Sequence, residues 1–66
     1  MVATINGKSV TIDAPFSLEQ VLASHHIDSR LAVVEVNLTV LDRSSLASTF
    51  VNDGDTIEIL RFVGGG

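Results

Sequence analysis

Met1-Val2-Ala3-Thr4-Ile5-Asn6-Gly7-Lys8-Ser9-Val10-Thr11-Ile12 is the stretch on which the fold turns. Met1, Ala3 and Ile5 alternate with polar or smaller residues, and Val10 and Ile12 resume the alternation after Asn6-Gly7. Both central residues of a type I′ turn need positive φ, which glycine adopts freely and asparagine more readily than most residues. With Asn6 and Gly7 as the loop, Ala3 faces Val10 and Met1 faces Ile12, so both strands present apolar residues on one face. Lys8 opposite Ile5 is the exception, placed at the turn where a long side chain reaches water.

Outward from the hairpin, Pro15 supplies no amide to a ladder and ends the second strand. Ser17 with Gln20 three residues on reads as a capping box, and Phe16 with Val21 as the hydrophobic staple of a short helix ending near His26. Leu18, Val21, Leu22 and His25 fall on one stripe of that helix, with Ile27 closing over its end. Arg30 to Val36 is rich in β-branched residues and predicts a strand with neighbours on both sides. Asn37 interrupts it. Thr39-Val40-Leu41 forms a short return strand, and Asp42 or Ser44 caps a turn of helix around Leu46. Asn52 to Asp55 is a turn, after which Thr56 to Val63 alternates, with Ile57, Ile59 and Arg61 on one face and Glu58, Leu60 and Phe62 on the other.

The expected architecture is α+β: a mixed sheet of four to five strands with one covering helix, a roll of the ubiquitin-like, β-grasp kind, its first and last strands parallel in the middle. Residues 1–63 make one domain, and 64–66 a flexible glycine tail. At 66 residues the chain allows a single thin core, and the absence of cysteine removes disulfides and thiolate metal sites.

Four basic residues stand against eight acidic ones, a net charge of −4. Nucleic acid is thereby disfavoured as a partner, because phosphate neutralisation needs clustered Lys and Arg, whereas these are scattered. A basic protein surface suits the charge better. Met1 to Val10 lacks the charged-then-apolar order of a secretory signal, and the longest apolar run, Leu31 to Val34, is far short of a membrane span, so a cytoplasmic, soluble protein is expected.

Gly64-Gly65-Gly66 follow Phe62-Val63. At an average glycine usage near 7%, three in succession at a terminus arise roughly once in 3,000 chains. An idle tail is one reading. The other is a carrier whose terminal carboxylate is the reactive group: a chain without Cβ atoms threads a narrow channel and approaches a nucleotide closely. Val63 to Gly66 spans roughly 13 to 14 Å when extended. A carboxylate anion is a poor acyl electrophile, so it needs activation by adenylation, and the Mg²⁺ and cations for that step have to come from the partner enzyme.

The chain resembles the ThiS family, the ubiquitin-like sulfur carriers of bacterial thiamine biosynthesis, along essentially its whole length. The resemblance rests on Ile5-Asn6-Gly7-Lys8, Val33-Val34-Glu35-Val36-Asn37, Asp53-Gly54-Asp55 with Ile57-Glu58-Ile59, and Phe62-Val63-Gly64-Gly65-Gly66. It implies that Gly66 is adenylated by an E1-like adenylyltransferase of the ThiF type, using ATP and magnesium bound by that enzyme. It further implies conversion to a thiocarboxylate with sulfur from a cysteine desulfurase, and sulfur donation to a thiazole synthase of the ThiG type. Gly64 and Gly65 then thread the partner active site, and the chain itself holds no cofactor and catalyses nothing. Sulfur carriage for another product, such as molybdopterin, a ubiquitin-like modifier role, and a noncovalent adaptor remain as alternatives.

Three other groups of residues carry less. His25 and His26 are adjacent, point to different sides of a helix and have no further ligand at metal spacing. Asp53 and Asp55 flank Gly54 without the spacing of a calcium loop. Ser44-Ser45 has no partnered base. Leu60, Phe62 and Val63 have two readings: partly buried by the neighbouring strand, or, on the face of the sheet the helix leaves uncovered, candidates for partner docking beside the tail.

Overall fold

In the computed structural model, which describes residues 1–62, β1 (Val2–Ile5) and β2 (Lys8–Thr11) pair antiparallel with Ala3 opposite Val10 and Ile5 opposite Lys8. Asn6 and Gly7 have φ of 49° and 81°, the positive pair a type I′ turn requires. Met1 and Ile12 extend the ladder by two further hydrogen bonds, 2.8 Å from the Ile12 N–H and 3.0 Å from the terminal ammonium.

Helix α1 (Leu18–Ser24) starts at Ser17, whose hydroxyl accepts the Gln20 N–H at 3.1 Å while the Gln20 side chain accepts the Ser17 N–H at 2.8 Å. The capping box is therefore formed in both directions. Leu18, Val21 and Leu22 are buried against the sheet. His25 departs from the expected stripe: it is the C-cap residue and exposed, its Nδ1 lying 2.9 Å from the Val21 carbonyl oxygen. The helix ends at Ser24, two residues before the expected His26, so position 25 no longer faces the core. His26, at φ 57°, turns the chain, and Ile27 packs back on the core.

A single 3₁₀ turn at Ser29–Leu31 precedes β3 (Ala32–Val36), so the strand begins two residues later than expected; Asp28 caps that turn by accepting the Arg30 N–H. β4 (Thr39–Val40) returns antiparallel, with Val36 opposite Thr39. A second 3₁₀ turn, Arg43–Ser45, leads to buried Leu46. Asp42 sits at its N-cap, but its carboxylate accepts the Ser44 hydroxyl rather than a backbone N–H. β5 (Thr56–Arg61) completes a five-stranded sheet in the order β2-β1-β5-β3-β4, parallel to β1 and antiparallel to β3. The fold is the ubiquitin-like β-grasp.

The core lies between α1 and one face of the sheet. Ala3, Ile5, Ile12, Val34, Ile57 and Ile59 supply the sheet side, and Leu46 and Val51 close the flank. The 46–51 segment is tied to the helix start by the Leu18 N–H donating to Thr49 and the Val51 N–H donating to Phe16. Among the described residues no buried side-chain nitrogen or oxygen lacks a hydrogen-bond partner.

Candidate functional site

β5 carries the chain from the core toward residues 63–66, and its two sides are held by equivalent devices. On the β1 side the Ile59 N–H donates to Asn6 Oδ1 at 2.7 Å, and Asn6 Nδ2 lies 3.4 Å from the Ile59 carbonyl. On the β3 side the Thr56 N–H donates to Asn37 Oδ1 at 2.9 Å, and the Asn37 N–H donates to the Thr56 carbonyl at 2.8 Å. Asn37 Nδ2 also donates to Asp55 Oδ1 at 3.0 Å, while Asp55 Oδ2 accepts the Asn52 N–H at 2.7 Å. Asp55 is buried and fully engaged, and Asp53 Oδ1 accepts the Val2 N–H at 2.7 Å. These aspartates fix the approach to β5. Gly54, at φ 85°, lets the chain turn between them.

The strand alternation sends Ile57 and Ile59 inward and Glu58 and Leu60 outward, with Phe62 following the outward set. Leu60 and Phe62 are each 59% exposed, so the neighbouring strand does not cover them. Val33 stands opposite Leu60, Val40 opposite Glu35, and the Leu31 carbonyl accepts the Phe62 N–H at 2.8 Å. The uncovered face therefore carries Val2, Leu31, Val33, Val40, Leu60 and Phe62; Leu31, Leu60 and Phe62 are exposed together where β5 ends, Val33 is half-buried between them and Glu35, and Val2 and Val40 are exposed farther away. Glu35 and Glu58 are also opposite one another on this face, a like-charge pair that opposes folding and favours a cation laid across it. The only ion pair among the described residues is Arg30–Asp28 at 2.7 Å, elsewhere on the surface.

Of the predicted site residues, Leu60 and Phe62 lie together on this face. Val63, Gly64, Gly65 and Gly66, and with them the boundary between domain and tail, lie outside the described residues. His25 and His26 are both exposed, and among the described residues no three His, Asp or Glu side chains gather as a metal site. Ser44 and Ser45 bond within their own turn. No helix among the described residues is long and apolar enough to cross a membrane. Sequence reasoning missed the asparagine clamps. The signal was present at Asn6, already marked as a turn residue, but a second use of its side chain on a strand more than fifty residues away is a tertiary fact.

Comparison with known proteins agrees with this geometry. A family model described as the ThiS family matches residues 3–66. The chain is 42% identical over all of its 66 residues to a protein named thiazole synthase from Paramagnetospirillum magneticum, spanning 20% of that relative's length. It is 32% identical over 63 residues to the sulfur carrier protein ThiS of Bacillus subtilis, covering 94% of this chain and 96% of that one. Among solved structures, the crystal structure of the thiamine biosynthesis protein ThiS from Geobacter metallireducens superposes with a TM-score of 0.80 at 36% identity, each chain covered completely.

Proposed function

The chain belongs to the ThiS family, and from that premise we propose that it is a sulfur carrier for thiamine thiazole synthesis, with the Gly66 carboxylate as the group that is loaded. The carboxylate attacks the α-phosphorus of ATP in the adenylating enzyme, pyrophosphate leaves, and an acyl-adenylate forms. The outer sulfur of a persulfide supplied by a cysteine desulfurase then attacks the acyl carbon and displaces AMP, giving an acyl disulfide, and a thiol reductant cleaves its S–S bond to leave a terminal thiocarboxylate on the carrier. Mg²⁺ and ATP belong to the adenylating enzyme, where cationic groups offset the repulsion between carboxylate and triphosphate. Gly64 and Gly65 bear no side chains and pass into that active site. The protein is a co-substrate of its partners rather than a catalyst, and we place it in the cytoplasm with them.

The observation that carries this reading is that the triglycine sequence follows, after Phe62 and Val63, a strand pinned by an asparagine side chain on each side. The uncovered face with Leu60 and Phe62, together with adjoining Val63, is the docking surface we assign to the ThiF-type adenylyltransferase and the ThiG-type thiazole synthase. Its apolar centre fits an apolar partner surface, and the Glu35–Glu58 pair fits a Lys or Arg beside it. The match to part of a protein named thiazole synthase supports a partner of that type.

The test is intact-mass measurement after incubation with ATP, the cognate adenylyltransferase and a persulfide source. The expected result is replacement of one oxygen by sulfur, localised to Gly66. A folded variant lacking Gly65 and Gly66 should lose all sulfur transfer; retained activity overturns the carrier reading in favour of an adaptor. Transfer to a thiazole synthase but not to a molybdopterin precursor identifies the product.

A further inference from the structure

The two sides of β5 do not end together. Toward β3 the pairing runs through Val33 and Leu60 to the Phe62 N–H, which donates to the Leu31 carbonyl. Toward β1 the register Ile5 opposite Ile57 carries β1 into its turn at Asn6, whose side chain takes up both main-chain groups of Ile59. Strand residues send their main-chain groups alternately to one side and the other. The carbonyls of Asp55 and Ile57 accept from Thr4 and Asn6, and Ile59 meets the Asn6 amide, so the β1 side is used at 55, 57 and 59. Arg61 is next in that series. Its N–H and C=O face the space past the Asn6–Gly7 turn, where among the described residues the sheet has no further strand.

We infer that the Arg61 main chain is a strand-addition site, on which an extended segment of the adenylating partner pairs beside β5 and leads the glycine sequence to the nucleotide. The inference rests on the carrier reading above and adds how the partner holds the chain. Gly64, Gly65 and Gly66 offer a partner no side chains, so specific grip on that end has to come from backbone donors and acceptors, and an added strand supplies them at the two-residue spacing already set by 55, 57 and 59. Among the described residues the open position is one strand wide and bounded by the hairpin tip. It is also short, so the free chain carries little exposed edge for unwanted pairing.

The experiment uses the full chain made by chemical ligation, with an ester in place of the Leu60–Arg61 amide. This removes the Arg61 N–H and leaves every side chain in place. In ATP–pyrophosphate exchange with the cognate adenylyltransferase, its KM for the carrier should rise about five- to ten-fold, the loss of one hydrogen bond. Amide exchange on the unmodified chain gives a second readout: the Arg61 N–H should exchange rapidly when free and at least about tenfold more slowly in the saturated complex. An unchanged KM for a folded ester variant, or an Arg61 amide equally fast in the complex, overturns strand addition and leaves sulfur carriage standing. If the unmodified chain supports no exchange at all, the carrier reading fails and this inference fails with it.

Discussion

Asn6 and Asn37 occupy the same position in two hairpin turns, and each sends its side-chain oxygen to a backbone N–H of β5, Ile59 at 2.7 Å and Thr56 at 2.9 Å. Both have positive φ, 49° and 51°. Asparagine is suited to both tasks, since it tolerates the left-handed region and its amide mimics a peptide group. The strand leading to the glycines is thus fixed near both of its ends by residues of neighbouring turns.

Replacing Asn37 by glycine should separate the two tasks. Glycine keeps the left-handed backbone but leaves the Thr56 N–H and Asp55 Oδ1 without their partner. We expect Asn37→Gly to cost about 1–2 kcal/mol and Asn37→Ala about 1 kcal/mol more, because alanine adds backbone strain. Urea denaturation of the two variants measures both; equal stabilities for Asn37→Gly and the parent chain would remove the clamp.

Leu38 follows Asn37 at φ 72° and is 91% exposed, where the equivalent position of the first hairpin is Gly7. A leucine there carries strain without burial to offset it. Leu38→Gly should raise stability by about 0.5–1 kcal/mol, the left-handed penalty relieved less the extra entropy of an unfolded glycine. Thermal unfolding checks the sign, and a lower Tm contradicts the assignment of a strained turn.

The Arg30 guanidinium and backbone N–H, both hydrogen-bonded to Asp28, hold its carboxyl down at about 2, against an ordinary 3.8. A carboxyl lowered on folding stabilises the fold fully above its unfolded value and stops doing so as pH falls through its folded one. The contribution is therefore intact at neutral pH and fades between about 4 and 2. Both side chains are exposed, so salt screens the pair. An NMR titration should find the Asp28 midpoint near 2, moving toward 3.8 in Arg30→Ala.

How much of this was legible depends on the range of each interaction. The Asn6-Gly7 turn, the Ser17–Gln20 box and the alternation of Ile57 and Ile59 are local patterns, and all three stand as read. His25 was misplaced because a stripe at i+7 presumes that the helix continues, whereas the chain turns at His26, at φ 57°. Leu38 gave no turn signal, since sequence alone does not favour leucine in the left-handed region; the strain is tolerated because Asn37 is bonded across to Thr56 and Asp55. Exposure of Leu60 and Phe62 depended on which strand lies beside β5 and how far it extends, which alternation does not encode.

Phe62 is the residue on which docking should depend most. Its backbone N–H serves the fold through Leu31 while its side chain is 59% exposed, so substitution of the side chain leaves the ladder intact. Phe62→Asp should accordingly change stability by no more than about 0.5 kcal/mol and preserve the circular dichroism spectrum. A central aromatic of an interface is commonly worth about 2 kcal/mol or more, so affinity for the adenylyltransferase should fall at least about 30-fold by titration calorimetry. Leu38→Gly, at the other end of β3, serves as the control and should bind as the parent does. Full affinity in a folded Phe62→Asp chain would move the docking surface elsewhere on the molecule.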